Sequence, residues 1–378
     1  MKHDWEYKRL GDVCKVNFGK RIVAKDTLPG SFPVYGGGGA TFTTQDYNRE
    51  NCMIVSRFAM SSNCVRFVKG KFFLNDSGLT VESITNYLKQ GFIDKYLWCN
   101  QPLIFNLGRG LAQKNLNVKS FLEIMFPVPP REEQERIVAE LDKINEVIED
   151  CRELLRNLDA LAQSLFYDYF GDIYHNPKKW VSTTLGDVAE KISNGANTKI
   201  ELDTYKDKGI AFFRCQNVWR NRLDMSDIVF VDEETNAKMK SSILKHNDLL
   251  VTKIGRLFTE NSSLGRVALY DGEDGAANLS GNLSFIRLKP IVAPKFILYI
   301  LISDYFRDYV RNTTSGGIDK RALNNSQLKA LPIYLPPLEL QEKFAERIEQ
   351  IEAQKKTVEE TIANLQTLLD SRMDYWFN

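Results

Sequence analysis

Four consecutive glycines in "YGGGGA", Gly36 to Gly39, form the segment of this 378-residue chain that most resembles a nucleotide-binding loop. Glycine-rich loops bind phosphate through backbone N–H groups, and they follow fixed patterns such as G-x-G-x-x-G or G-x-x-x-x-G-K-[ST]. This segment matches neither pattern, so a nucleotide site is disfavoured. Two interpretations stay open: a turn whose N–H groups approach a nucleic-acid phosphate, and a plain turn between strands.

The sequence contains few residues arranged as metal ligands. The six cysteines include no C-x-x-C pair, and only three histidines could supplement them. A zinc site needs about four such ligands at close spacing. We therefore predict buried reduced thiols, no metal site and a reducing cytoplasmic location. No segment reaches the roughly 18 apolar residues of a membrane span, and no apolar run follows the basic start.

Methyl-transfer chemistry is the next candidate, because the chain contains two Pro-Pro segments, "VPPREEQ" and "LPPLELQ". An amino-methyltransferase would be expected to carry Asn/Asp-Pro-Pro-aromatic and a glycine-rich cofactor loop. Both segments lack the preceding amide and the following aromatic residue. The sequence also lacks a P-loop and an H-E-x-x-H motif. We predict no catalytic residue and no cofactor bound by this chain.

The elements that would position any site are duplicated along the chain. The openings "WEYKRLGDV" and "WVSTTLGDV" start at Trp5 and Trp180, and the Pro-Pro closings lie at Pro129 and Pro336. Between them "MIVSRF" resembles "LLVTKI", and "NDSGLTV" resembles "NLSGNLSF". Short β-rich runs and Gly/Asn turns predict two modules of one α/β (α+β) fold, each a mixed sheet with helices. Their predicted bounds are residues 1–130 and 173–337.

After each Pro-Pro the pattern changes to a long helix, predicted over 131–172 and 338–378, because proline is tolerated in the first turn. An apolar 4,3 spacing over about four heptads predicts a coiled-coil seam in each helix. The first seam comprises Ile137, Leu141, Ile144, Ile148, Cys151, Leu155, Leu158, Ala162 and Leu165. The second comprises Phe344, Ile348, Ile351, Lys355, Val358, Ile362, Leu365, Leu369 and Arg372.

A narrow apolar stripe needs a partner helix, and the two helices are predicted to pair with each other. Antiparallel pairing is favoured because helix one ends at module two, where helix two begins, so short connections suffice. An approximate two-fold axis then relates the modules. Leu155 would face Lys355, and Ile137 would face Arg372. Lys355 either is buried and pins the register, or extends its ammonium into solvent.

A formal net charge of +1 provides no whole-chain attraction for polyanions, so contacts with nucleic acid must come from local cations and amides. Cations at matching places in both modules are predicted to contact phosphates: Arg57 with Lys253, and Arg109 and Lys114 with Lys320 and Arg321. Residues unmatched in module one are predicted to contact base edges: Arg214, Gln216, Asn217 and Arg220. A solvated surface remains the alternative for each.

The order of module, "PVPPREEQERIVAELD", long helix, module, "YLPPLELQEKFAERIE" and long helix resembles the specificity subunits of type I restriction-modification enzymes. The resemblance covers nearly the whole chain and includes "GIAFFRCQNVW", "NDLLVTKIGR" and "FPVYGGGGATF". It implies two target recognition domains that each bind one half of a bipartite double-stranded DNA sequence. It also implies helices that set the spacer and dock two methyltransferase subunits.

The same resemblance implies restriction/translocase subunits as further partners, with S-adenosylmethionine, ATP and Mg²⁺ bound by partner subunits. It implies a chain that is not an enzyme by itself. Two other hypotheses compete with it. One is a non-catalytic, two-headed scaffold that binds proteins and no DNA. The other, a stand-alone methyltransferase, is disfavoured by the missing motifs.

Overall fold

The computed structural model describes residues 4–110, 113–196, 205–257, 262–314, 316–317 and 320–377. Some neighbours of the predicted phosphate-contacting residues Arg109, Lys114, Lys320 and Arg321 lie outside the described residues, namely residues 111–112, 315 and 318–319. The chain divides into two compact units. Unit 1 is Met1–Glu153 with Val358–Asn378, and unit 2 is Leu154–Thr357. Each unit therefore contains one module and part of both long helices.

Unit 1 is built on a six-stranded sheet in the order β2-β7-β5-β6-β3-β4, in which β3 and β6 run parallel and the other neighbours antiparallel. The strands of unit 1, including those outside this sheet, are β1 (Glu6–Arg9), β2 (Cys14–Phe18), β3 (Phe32–Tyr35), β4 (Ala40–Thr44), β5 (Arg49–Ser56), β6 (Val65–Leu74), β7 (Gly78–Ser83), β8 (Gly108–Arg109), β9 (Asn115–Leu116) and β10 (Met125–Val128). Its helices are α1 (Leu10–Val13), α2 (Gln90–Cys99), α3 (Gln101–Asn106) and α4 (Val118–Leu122), followed by the long α5 (Arg131–Phe170). A short 3-10 turn spans Ala24–Asp26.

Helix α2 covers this sheet because its apolar residues fall on one face. Phe92, Ile93, Tyr96 and Leu97 follow the i, i+1, i+4, i+5 spacing, and all four are buried. They join a core that also contains strand residues of the sheet and the start of α5. The sheet and the long helix thus share one apolar core within unit 1.

Unit 2 contains a four-stranded antiparallel sheet, β12-β21-β17-β19, and a three-stranded sheet, β16-β13-β20, in which β13 and β20 are parallel. Its strands are β11 (Val181–Thr184), β12 (Ala189–Asn194), β13 (Ile210–Phe213), β14 (Val218–Trp219), β15 (Arg222–Leu223), β16 (Val229–Val231), β17 (Leu249–Thr252), β18 (Ile254–Gly255), β19 (Val267–Leu269), β20 (Ala277–Leu279), β21 (Leu283–Leu288), β22 (Arg321–Ala322) and β23 (Pro332–Leu335). Its helices are α6 (Leu185–Val188), α7 (Glu233–Ala237), α8 (Pro294–Leu301), α9 (Asp304–Thr313) and α10 (Asn325–Ala330), followed by the long α11 (Leu338–Phe377). Further 3-10 turns span Cys215–Asn217 and Lys240–Ser242.

The duplication predicted from the sequence extends to individual hydrogen bonds. Strand β1 pairs antiparallel with β10, and β11 pairs in the same way with β23. The two "LGDV" segments are both short helices. The Leu10 N–H donates to the Ile124 carbonyl at 2.8 Å, and the Leu185 N–H donates to the Leu331 carbonyl at 2.9 Å. The opening and closing elements of the two modules therefore have the same structure.

A glycine follows β2 and β12 in both modules, and the backbone packing explains why. A Cβ atom on Gly19 would lie 1.9 Å from the Asn75 carbonyl oxygen. One on Gly195 would lie 2.1 Å from the Ser280 carbonyl oxygen. A side chain fits at neither position, because real Cβ atoms do not approach backbone this closely.

The long helices begin directly after the Pro-Pro pairs, as predicted, and they pair antiparallel. In unit 2 the ring of Phe344 lies 5.1 Å from Phe170 and 5.6 Å from Phe166, near the end of α5. Further along α11, the Lys355 ammonium lies 2.5 Å from the carboxylate of Asp159, which is earlier in α5 than Phe166 and Phe170. Residue numbers thus rise on one helix as they fall on the other.

Two ion pairs lie beside the seam. In unit 1 Arg372 pairs with Glu140, three residues beyond the predicted facing residue Ile137. In unit 2 Lys355 pairs with Asp159, four residues beyond Leu155. The ring contact of Phe344 with Phe166 agrees with the predicted pairing, so these long charged side chains reach about one turn along the partner helix.

Most seam positions are enclosed as the heptad pattern requires. Buried members are Ile137, Leu141, Ile148, Leu158, Ala162, Phe344, Ile348, Ile351 and Leu369, and half-buried members are Ile144, Cys151, Leu155, Leu165, Lys355, Val358, Ile362, Leu365 and Arg372. Lys355 takes the second of its two predicted roles, because its ammonium reaches the exposed carboxylate of Asp159. In the described part of the chain, no helix is long and apolar enough to cross a membrane.

Candidate nucleic-acid interface

Arg57 and Lys253 occupy the same place in the two modules. Each residue directly follows a buried central strand, β5 or β17. The Arg57 carbonyl accepts a hydrogen bond from the Leu116 N–H at 2.8 Å, and the Lys253 carbonyl accepts one from the Leu323 N–H at 2.8 Å. The backbone therefore presents one cation at an equivalent position of each module.

The Arg57 guanidinium is held between two exposed aromatic rings. Its central carbon lies 4.7 Å from the centre of the Phe18 ring and 4.5 Å from that of Phe58. These rings are 45% and 38% exposed. The guanidinium also donates a long hydrogen bond, 3.4 Å, to the Asp76 carbonyl. Stacking of this kind orients an arginine without neutralising its charge.

The glycine segment 36–39 lies beside this arginine. The Gly37 carbonyl accepts from the Ser56 hydroxyl at 2.6 Å and from Arg66 Nη2 at 3.3 Å. A Cβ atom on Gly38 or Gly39 would meet nothing within 4 Å, so this turn is open on its outer side. Both interpretations of the turn stand, and a phosphate at this turn would have Arg66 as a neighbouring cation.

Lys253 has a different neighbour at the position of the first aromatic ring. Its ammonium donates to the Asn194 side-chain oxygen at 2.7 Å and approaches the Gly281 carbonyl at 3.5 Å. Asn194 is the last residue of β12, as Phe18 is the last of β2. Burial lowers the pKa of the Lys253 amine. The two modules thus keep the cation and exchange its partner, a phenyl ring for an amide.

The second set of matched cations lies on short two-stranded ladders. Arg109 is exposed on β8, and the Lys114 ammonium next to β9 lies 4.0 Å from the centre of the Phe105 ring. Arg321 on β22 donates to the Thr314 carbonyl at 3.2 Å, and its neighbour Lys320 is exposed. The ladders are built differently, because β9 pairs with β8 whereas β22 pairs with β18. Each module therefore has cations on or next to a two-stranded ladder, but the ladders are formed by different strand pairs.

The predicted base-contacting loop of module two is organised internally around Asp227. Its carboxylate accepts from Arg214 Nη2 at 3.2 Å, from Gln216 Nε2 at 3.0 Å and from Asn217 Nδ2 at 2.6 Å. The Asn217 side chain has no exposed surface. The prediction for Asn217 is therefore wrong, because its amide holds the loop and faces no solvent. Gln216 is exposed and stays a candidate.

Arg220 lies at the edge of a basic aromatic cluster that the sequence did not indicate. Its Nε donates to the Ile302 carbonyl at 2.6 Å. It lines a shared pocket with Trp219 and Arg266, and the Arg266 guanidinium lies 3.9 Å from the centre of the Trp219 ring. Burial lowers the pKa of Arg266. Arg266 is distant in sequence from the "RCQNVWRNR" loop, so only the fold brings these cations together.

The two modules correspond to two matches to one family. The family model described as type I restriction modification DNA specificity domain matches residues 2–156 and 177–367. The chain belongs to this family. Each match includes one module and the larger part of the long helix that follows it, α5 or α11. This type I specificity subunit therefore contains the domain twice.

Curated relatives of this specificity subunit include archaeal and bacterial proteins. It is 22% identical to the type I restriction enzyme MjaVIII specificity subunit of Methanocaldococcus jannaschii, over 93% of this chain and 87% of that protein. It is 23% identical to the EcoBI specificity subunit of Escherichia coli, over 66% of this chain and 56% of that protein.

Solved structures show the same fold for the specificity subunit. The type I S subunit from M. genitalium superposes with a TM-score of 0.60 at 16% identity, covering 98% of this chain and 95% of that one. A chain from a structural study of complex assembly in the type I R-M system has a TM-score of 0.54 at 19% identity, covering 99% and 97%. Both comparisons extend over modules and long helices alike.

Proposed function

We propose that each module of this DNA specificity subunit binds one half of a bipartite DNA target, and that the paired helices set the unread spacer. The observation that carries the proposal is the retained cation with an exchanged neighbour: Arg57 with Phe18 in module one, Lys253 with Asn194 in module two. A cation at a constant place suits a phosphate, which has no sequence information. Different residues around it suit different bases.

Local basic surface supports DNA as the ligand despite the near-neutral chain. Arg66 and Arg57 flank the open glycine turn in module one. Arg220, Arg222 and Arg266 surround Trp219 in module two. Clusters of this kind neutralise phosphates at short range, where a net charge close to zero has little influence.

Chemistry is proposed to belong to partner subunits. The sequence lacks the methyltransferase and P-loop motifs, so the chain would not catalyse a reaction alone. We propose that the helices dock two methyltransferase subunits and that restriction/translocase subunits join the complex. S-adenosylmethionine, ATP and Mg²⁺ would then be bound by those partners.

The deciding experiment is co-production of this chain with its methyltransferase partner, followed by sequencing of methylated adenine across the host genome. The expected result is one split target, with two defined halves and a fixed unread spacer. The chain alone should methylate nothing, and its affinity for the target duplex should fall steeply as salt rises. Methylation by the isolated chain, or salt-independent association, would refute the respective part of the proposal.

The spacer role has its own test. Inserting four residues into one long helix adds about 6 Å. The expected result is a longer spacer or loss of recognition, with both half-sites unchanged when recognition persists. A change in the bases of either half-site would contradict the proposal that the modules alone recognise the half-sites and the helices alone set the spacer.

A further inference from the structure

Gln134 is a completely buried polar residue at the junction of α5 with module one. It is the fourth residue of the helix and has 0% exposure. Its amide nitrogen donates to the Pro129 carbonyl at 2.8 Å and to the Tyr87 carbonyl at 3.0 Å. Its amide oxygen accepts from the Lys89 N–H at 2.9 Å, and Lys89 is the N-cap residue of α2.

Gln341 makes two of these three contacts at the junction of α11 with module two. It is also the fourth residue of its helix and has 0% exposure. Its amide nitrogen donates to the Pro336 carbonyl at 2.7 Å. Its amide oxygen accepts from the N–H of Ala293 at 2.9 Å, and Ala293 is the N-cap residue of α8. One amide joins the start of the long helix to the start of a module helix in both units.

This geometry differs from ordinary helix capping. In a capping box the residue in the first turn bonds to the N-cap of its own helix. Here the acceptor side of the amide serves a second helix, α2 or α8, that belongs to the module. A glutamine is needed because one rigid group must both donate and accept.

Both junctions also have an ion pair between a lysine of the module helix and a carboxylate of the long helix, but at different positions. In unit 1 Lys95, within α2, pairs with Asp142 of α5 at 2.5 Å. In unit 2 Lys295, in the first turn of α8, pairs with Glu352 of α11. The glutamine link differs from these ion pairs because it occupies the same helix position and the same N-cap in both units.

We propose that Gln134 and Gln341 are positioning residues that fix the orientation of each module on the long helices of its own unit, and thereby the spacer length that the protein accepts. The inference rests on the proposed function. A module about 30 Å across needs a tilt of only roughly 6° to displace its far side by the ~3.4 Å rise of one base pair. A small loss of rigidity at the junction therefore suffices to change spacer tolerance.

The test uses the full chain with its methyltransferase partner and three duplexes: the target found by methylome sequencing, and the same target with one base pair added to or removed from the spacer. Gln134→Met and Gln341→Met keep the side-chain length and remove the amide. Gln45→Met, at an exposed position directly after β4 and outside the long helices, is the matched control. Single-base changes in each half-site measure base specificity in parallel.

We expect the preference for the native spacer over the altered spacers to fall by roughly tenfold in both junction variants, as loss of about one hydrogen bond's discrimination would give. Half-site specificity should be unchanged, and the control should behave as wild type. An equal loss of methylation on all three duplexes, or an unchanged spacer preference, would overturn the inference. If the wild type methylates no split target, the proposed function itself fails instead.

A measurement without variants keeps the inference testable if these substitutions prevent folding. In the wild type, hydrogen exchange of the Lys89 and Ala293 amides should be as slow as that of the interior of α2 and α8. The N-cap amides of helices without such an acceptor exchange faster. Rapid exchange at both amides would mean that the junctions are open and cannot fix an orientation.

Discussion

Replacing the matched cations should lower the salt dependence of DNA binding by a defined amount. Arg57→Gln and Lys253→Gln each remove one charge at equivalent places of the two modules and leave the backbone hydrogen bonds of both residues intact. Each phosphate contact contributes about −0.9 to the slope of log affinity against log salt. Each single variant should therefore have a slope less negative by about 0.9, and the double variant by about 1.8.

These slopes correspond to measurable affinities. Between ~50 and ~200 mM salt, the wild type should lose about 3.5-fold more affinity than either single variant, and about 12-fold more than the double variant. The assay is fluorescence anisotropy with the partner-bound complex on the native duplex at several salt concentrations. The exposed Lys143 on α5, replaced by glutamine, serves as a cation control and should leave the slope unchanged.

Two outcomes would refute this reasoning. A slope equal to that of the wild type would mean that Arg57 or Lys253 contacts no phosphate, whatever the loss of affinity. A changed preference at a single base pair would mean that the residue contacts a base edge. The second outcome is the more informative for Arg57, because an arginine forms bidentate hydrogen bonds with guanine as readily as with phosphate.

Two further predictions concern stability. Asp248→Asn should lower the free energy of unfolding of unit 2 by about 3 kcal/mol, because the carboxylate is 1% exposed and accepts from Arg287 at 2.9 and 2.7 Å; Glu234→Gln, from an exposed pair, should change it by less than about 0.5 kcal/mol in the same urea titration. Gly19→Ala should cost about 2 kcal/mol or more, because its Cβ would lie 1.9 Å from a carbonyl oxygen, whereas Gly38→Ala should be nearly neutral in thermal unfolding; equal effects would refute the packing argument.

The repeat and the long helices were predictable because their signals are local. A Pro-Pro pair followed by an apolar 4,3 spacing specifies where a helix begins and which face it buries. The ion pairs of Lys355 and Arg372 were not predicted, because their partners Asp159 and Glu140 lie outside the seam and carry no periodic signal.

The candidate interface was predicted less well, because side-chain partners come from distant parts of the chain. Arg57 and Lys253 were found by comparing the two modules, which works wherever the backbone is duplicated. Asn217 was misassigned because no sequence pattern indicates that its side chain donates to Asp227, ten residues further along the chain. Gln134 was visible in the Pro-Pro-x-x-x-Gln pattern, but its acceptor contact with Lys89 depends on the fold of the module.

The division of the long helices between the units has a consequence for synthesis on the ribosome. Unit 2 is one continuous stretch, whereas unit 1 needs residues from Val358 onward, where Leu369 and Trp376 enter its core. Translation therefore supplies everything that unit 2 requires before unit 1 is complete. The core of module one cannot be completed until α11 emerges, and until then Ile137 and Leu141 lack some of their apolar contacts. Chaperone binding to nascent chains should accordingly persist until the residues from Val358 onward have left the ribosome.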